Sequence, residues 1–134
     1  MTFAGERLAI ESRLNTLGGN LPEIAWANVS YRPTAGQAYM RVEIQNSTGR
    51  LAGLGSSADL YRYRGIIAID LIVPEHTGTE TIRDYMDALN VVFRNKQFDG
   101  ITTMVPQKGE YMPQSRKGWY KFPIAIPFYR DEVA

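Results

Sequence analysis

Residues 59–95, DLYRYRGIIAIDLIVPEHTGTETIRDYMDALNVVFRN, change their hydrophobic period partway along, and that change decides the fold. Asp59 to Val73 reads as one long strand, with Gly65 predicting a bulge or bend in its middle and Pro74 ending it. Beyond it, Thr77 or Thr79 can cap a helix running to about Asn95. Ile82, Tyr85, Met86, Leu89 and Phe93 recur there at i, i+3, i+4, i+7 and i+11, which is one face of a helix. Upstream, Phe3, Ile10, Leu14 and Leu17 mark a leading helix stopped by Gly18-Gly19. Two alternating runs follow, residues 24–31 (IAWANVSY) and 38–45 (AYMRVEIQ), and both predict strands. In the first, Trp26 shares a side with Ile24 and is expected in the core. Residues 46–57 (NSTGRLAGLGSS) lack periodicity and predict a flexible loop. Downstream, Ile101 to Val105 predicts a short strand and Pro106 to Gly118 a polar connection. The last strand, Trp119 to Tyr129, puts Tyr120, Phe122, Ile124, Ile126 and Phe128 on one face; Pro123 and Pro127 on the other predict an edge or partly unpaired strand. The order α-β-β-β-α-β-β gives an α+β fold. It is expected as a mostly antiparallel or mixed sheet of about five strands with two helices packed on one face, residues 1–134 making a single domain.

Composition narrows the function. The 134 residues include 15 basic and 14 acidic side chains, a balance that argues against a polyanion-binding protein. No cysteine is present, which excludes thiol catalysis, disulfides and Cys-ligated metals. Glu6, Arg7, Glu11 and Arg13 near the start are unlike a signal peptide, and no apolar run is long enough for a membrane span, so no membrane is expected.

Few motifs suggest chemistry. Gly53-Leu54-Gly55-Ser56-Ser57-Ala58 fits a loose GxGxx(G/A) pattern, but the following residues alternate as a strand where a phosphate-binding turn needs a helix. His76 is the only histidine; Glu75, Glu80 or Asp84 would have to converge on it, and no base–orienter–nucleophile set assembles. No cofactor, no metal and no enzymatic activity are expected. Glu80, Asp84 and Asp87 share one helical face, either as a solvated face with an Arg83–Asp87 ion pair or as a patch for a basic surface on another subunit. Arg62 and Arg64, alternating with Tyr61 and Tyr63, are the matching basic candidates. The same tyrosines with Lys117 and Trp119 use the vocabulary of single-strand nucleic-acid platforms. Arginine supplies 11 of the 15 basic residues, which favours a protein interface. In the 46–57 loop, Arg50, Leu51 and Leu54 are the expected anchors for docking on a neighbour or another protein.

The order of segments resembles the tail terminator (tail completion) proteins of long-tailed bacteriophages. The likeness runs through the leading helix, Ile24-Ala25-Trp26-Ala27-Asn28-Val29 with Arg32-Pro33, and Gly36 with Tyr39-Met40-Arg41-Val42. It continues in Gly65-Ile66-Ile67-Ala68-Ile69-Asp70-Leu71-Ile72-Val73-Pro74 with Gly78, in Ala88-Leu89 with Phe93, and in Phe122-Pro123-Ile124-Ala125-Ile126-Pro127-Phe128. The resemblance implies a non-enzymatic assembly protein of the virion tail or neck, put together in the bacterial host cytoplasm. Such subunits form a ring, typically a homo-hexamer, that caps the tail tube, ends polymerisation of the tail tube protein and presents a surface to the head connector or head-closure protein. DNA only passes through the lumen. Other readings stay open at this point: another neck ring such as a head-closure protein, a small nucleic-acid-binding domain, or an enzyme of unrecognised type.

Overall fold

The computed structural model describes residues 2–55, 59–74, 80–109, 112–113 and 118–133. Helix α1 spans Phe3–Leu17; the Thr2 hydroxyl caps it by accepting from the Gly5 N–H at 3.1 Å, and Gly18 closes it through its own N–H to the Leu14 carbonyl. Its inward stripe is Glu6, Ile10 and Leu14, while Phe3 and Leu17 overhang at the two ends and stay exposed. The four-residue spacing puts these three on one face, so the apolar stripe predicted from Phe3 to Leu17 is shorter at both ends and has a carboxylate in it.

Strand β1 (Glu23–Trp26) is shorter than the predicted 24–31 run. Asn28 takes a positive φ of 58° and the Val29 N–H bonds back to the Trp26 carbonyl, so a turn replaces the second half of the strand. Strand β2 (Tyr39–Gly53) runs well past the predicted end at Gln45. Most of the expected loop at 46–57 is thus strand: β2 turns back into β3 (Leu60–Pro74) as a long hairpin, with pairing from Tyr39↔Ile72 out to Gly53↔Leu60. The outer half of β2 is exposed on both sides, so no hydrophobic alternation marks it in the sequence. Gly65 is a point of close approach: a Cβ there would lie 2.7 Å from the Gln45 carbonyl oxygen and 2.7 Å from the Phe128 ring. The bulge itself falls on the partner strand, between Asn46 and Thr48.

Helix α2 (Glu80–Phe93) buries Ile82, Leu89, Val92 and Phe93 as its period requires. Asn95, at φ 50°, is in the left-handed region just past its end. The predicted caps Thr77 and Thr79 lie outside the described residues. Four short strands follow: β4 (Gln97–Phe98), β5 (Ile101–Thr103), β6 (Gln107–Lys108) and β7 (Met112–Pro113).

The final strand, β8 (Trp119–Val133), corrects the expectation of an edge. It pairs with β3 along its whole length, from Leu60↔Val133 to Pro74↔Trp119, and carries β5, β6 and β7 on its other side. The carbonyls of Pro123 and Pro127 accept from Gly109 and Met104 on that second side. A residue's N–H and C=O point the same way in an antiparallel strand, so both missing donors fall where the partner strands are short and interrupted. The sheet order is β1-β2-β3-β8-β5-β4, parallel only between β1 and β2.

Both helices pack on one face of this sheet, as expected. Ile10 and Leu14 from α1 and Ile82, Leu89 and Phe93 from α2 meet Met40, Val42, Ile67, Ile69, Leu71, Phe122, Ile124, Ile126 and Phe128. Each such side chain contributes about 1.5–3 kcal/mol by leaving water. Trp26 packs against this core from its rim and is only half-buried. A smaller cluster of Ala25, Tyr39 and Ile72, with Tyr31 and Trp119 against it, covers one end of the opposite face.

Candidate functional site

On the outward side of α2, Glu80, Asp84 and Asp87 are all exposed, with exposed Val91 continuing their stripe at helical spacing. The expected Arg83–Asp87 pair is absent from the ion pairs among the described residues. Arg62 and Arg64 alternate with the inward positions of β3 and therefore stand on the sheet face away from the helices. Arg62 is engaged within the chain: its Nε and Nη2 donate to the two Asp131 carboxylate oxygens at 2.8 and 3.0 Å, and its guanidinium lies 4.4 Å from the Tyr129 ring centroid. That double hydrogen bond holds the Asp131 carboxyl below the usual carboxylate range. Arg64 stays exposed, 5.8 Å from the same ring. The acidic stripe and the arginines thus occupy opposite sides of the molecule.

The aromatic–cation residues do not form one platform. Tyr61 and Tyr63 point to the helix side while Arg62 and Arg64 point away. Trp119 pairs with Pro74, thirteen positions along β3 from Tyr61, or about 44 Å at 3.4 Å per residue. It packs edge-on against Tyr39 at 5.6 Å in the small second cluster. Lys117 and His76 lie outside the described residues.

The projecting half of the β2–β3 hairpin holds the predicted anchors. Arg50 and Leu51 sit on β2 near its end and Leu54 just beyond it; Leu54, at 83% exposure, is the most exposed large apolar side chain among the described residues. The arm is braced by its ladder to β3, by β8 behind β3, and by Tyr63, whose ring fills the space over Gly49. A Cβ at Gly49 would come within 2.6 Å of that ring.

At the arm's root is a buried charged cluster that sequence reasoning missed. Arg130, fully buried, continues the inward stripe of Phe122 to Phe128. Its Nε donates to Glu6 Oε1 at 2.9 Å and its Nη1 to Glu132 Oε2 at 3.0 Å. The Asn46 amide donates to both Glu6 oxygens, at 3.3 and 3.0 Å. Phe3 and Tyr63 present their rings to the guanidinium at 4.7 and 4.5 Å and meet each other edge-on at 5.3 Å. The cluster ties α1 to β2, β3 and β8 where the hairpin leaves the body. The signal was available: the fifth inward position of an alternating strand is a cation, and a buried cation needs a carboxylate.

Two of the surface concavities flank the turn after β1. One includes Tyr31, Arg41, Glu43 and Asp70; burial first and then the Glu23 carboxylate push the Tyr31 phenol up. The other is a groove of about 360 Å³ between α1 and β2, with Phe3, Trp26, Val29 and Ile44 as its apolar wall and Arg7, Glu11 and Glu43 at its margin. Among the described residues no group of His, Cys, Asp or Glu gathers into a metal site, and no helix is long and apolar enough to cross a membrane.

Comparison with known proteins adds to this geometry. Residues 7–128 match the family described as phage tail terminator protein. No curated protein matches. One solved structure aligns at 20% identity over 97% of this chain and 96% of its own, with a TM-score of 0.69. A chain from the virion of a native gene transfer agent particle aligns at 12% identity over 98% of this chain and 100% of its own, with a TM-score of 0.57. At these identities the two structures speak for the fold.

Proposed function

The chain belongs to the phage tail terminator family, and on that premise we propose that it is the subunit of a ring, sixfold in the expected form, that caps the tail tube of a phage virion. The ring ends polymerisation of the tube protein and offers its other side to the head connector or head-closure protein. The observation that carries this reading is the family match over 122 consecutive positions, 7–128, which takes in all of α2, most of α1 and nearly the whole sheet. The geometry is in keeping with it. A closed ring needs two different patches on each subunit, and the molecule separates an acidic helix face from an arginine-bearing sheet face and adds a projecting arm.

The mechanism is one of surface presentation. Tube growth stops when the last ring offers no further copy of the surface that a tube subunit recognises. A terminator must therefore match the tube on one side and differ from it on the other. Two faces of unlike chemistry, one carrying Glu80, Asp84 and Asp87 and the other Arg62 and Arg64, supply that asymmetry. The decisive experiment adds purified protein to tube subunits polymerising in vitro and measures tube length by electron microscopy. Growth should stop, with added density at one tube end only. Tubes of unchanged length with bare ends would overturn the reading.

A further inference from the structure

β1 covers the outer edge of β2 only from Tyr39 to Val42, because the chain turns away at Asn28. From Glu43 to Gly53 that edge has no strand partner among the described residues. α1 flanks the start of this open edge, and between them lies the groove of Phe3, Trp26, Val29 and Ile44. Phe3 and Val29 are 52% and 60% exposed, so the groove is an apolar surface left in water. At its margin Glu11 is paired with Arg7 at 3.8 Å, which leaves exposed Glu43 as the carboxylate without an ion pair among the described residues. At the other end of the same strand, the arm tip has the opposite character: Leu51 and Leu54 exposed beside the cation of Arg50.

The groove and tip match in chemistry but cannot meet within one chain. Ile44 pairs with Ile67 and Gly53 with Leu60, seven positions apart on β3, so Leu54 just beyond lies on the order of 25 Å from Ile44. A contact between them joins two copies head to tail. We propose that the Arg50–Leu54 tip of one copy seats in the α1–β2 groove of the next, with Leu54 against Phe3, Trp26 and Val29 and Arg50 facing Glu43. Such a contact is heterologous, so it closes into a ring when the rotation between copies allows. It rests on the ring reading above and names the joint that makes the ring.

The chain has no cysteine, so introduced thiols are the only ones present. A Leu54→Cys/Val29→Cys chain is compared under mild oxidation with Leu54→Cys/Leu17→Cys. Leu17 is the exposed control, at the far end of α1 and about 21 Å from Phe3. The tip–groove pair should give a covalent ladder reaching the size of the native assembly, and the control should not. Arg50→Glu should cut cross-linking at least tenfold, and adding Glu43→Arg should restore it. A wild-type chain that assembles while the tip–groove pair cross-links no better than the control overturns this joint and leaves the ring standing. So does a tip that cross-links only to tube protein. A wild-type chain that stays monomeric both alone and on tail tubes overturns the ring itself, and the joint with it.

Discussion

Replacing Arg130 with Met removes the cation paired with Glu6 among the described residues, from a site that buries Glu6 to 2% exposure. The Glu6 carboxylate would keep the two hydrogen bonds from the Asn46 amide but would face the Phe3 and Tyr63 rings without a counter-charge. Breaking a buried pair from one side typically costs about 3–5 kcal/mol, because the remaining charge stays desolvated. The present site should lie near 4 kcal/mol, roughly a third or more of the stability of an ordinary domain. Glu6→Leu leaves Arg130 with Glu132, which is partly hydrated, so its cost should be smaller, about 2–3 kcal/mol. The double variant Glu6→Leu/Arg130→Met fills the site with apolar groups and should be less destabilised than Arg130→Met alone, giving a coupling of at least about 2 kcal/mol. Urea unfolding with a common m-value is the assay, since a shift in midpoint at constant slope isolates stability. If Arg130→Met costs under about 1 kcal/mol, or if the two single costs simply add, the cluster is not the buried, mutually dependent pair described here.

Other outcomes follow from single contacts. Gly65→Ala pushes a Cβ against a backbone oxygen and the Phe128 ring, so the midpoint of urea unfolding should fall by an amount worth about 1–3 kcal/mol. Trp26→Ala removes a half-buried ring at the rim of the core and should cost about 2 kcal/mol by the same measurement, short of the ~3–5 kcal/mol of a fully buried one. Asp131, held below the usual carboxylate range by Arg62, binds protons more readily when unfolded. Its contribution is therefore present above the unfolded value near 4 and lost as pH falls through the lower folded value, so wild-type and Asp131→Asn stabilities should converge at low pH in an acid titration of the melt.

What the sequence revealed follows from how side chains meet water. The β8 stripe from Phe122 to Phe128 and the α2 stripe from Ile82 to Phe93 were legible because each buries one face and wets the other. The hairpin arm was not, because Asn46 to Gly53 is exposed on both sides and is held as strand by backbone pairing to β3, which leaves no mark on side-chain order. The prolines of β8 gave a true signal with the wrong inference. They exclude a regular partner on one side, and the chain meets that demand with three short strands in place of an open edge. Tyr61 to Arg64 looked like a shared surface when read along the chain, but alternation sends the rings and the cations to opposite faces. Glu6 and Arg130 are 124 positions apart, and neither residue type predicts burial unless the inward stripes of α1 and β8 are extended through them.

The central place of β8 also governs when this protein can exist as a folded object. Residues 119–133 emerge last from the ribosome among those described, yet they are the strand on which β3 closes one side and β5, β6 and β7 the other. Until they arrive, the sheet consists of the β2–β3 hairpin with its parallel stub and the short β4–β5 pair, at best marginally stable in water, and one whole edge of β3 stays open. Folding of this sheet therefore waits for residues 119–133, and a chain cut short before them by stalling or by a protease never completes a core. Quality control is written into the topology: a truncated copy cannot pass for a subunit, because the segment it lacks is the one that makes the sheet.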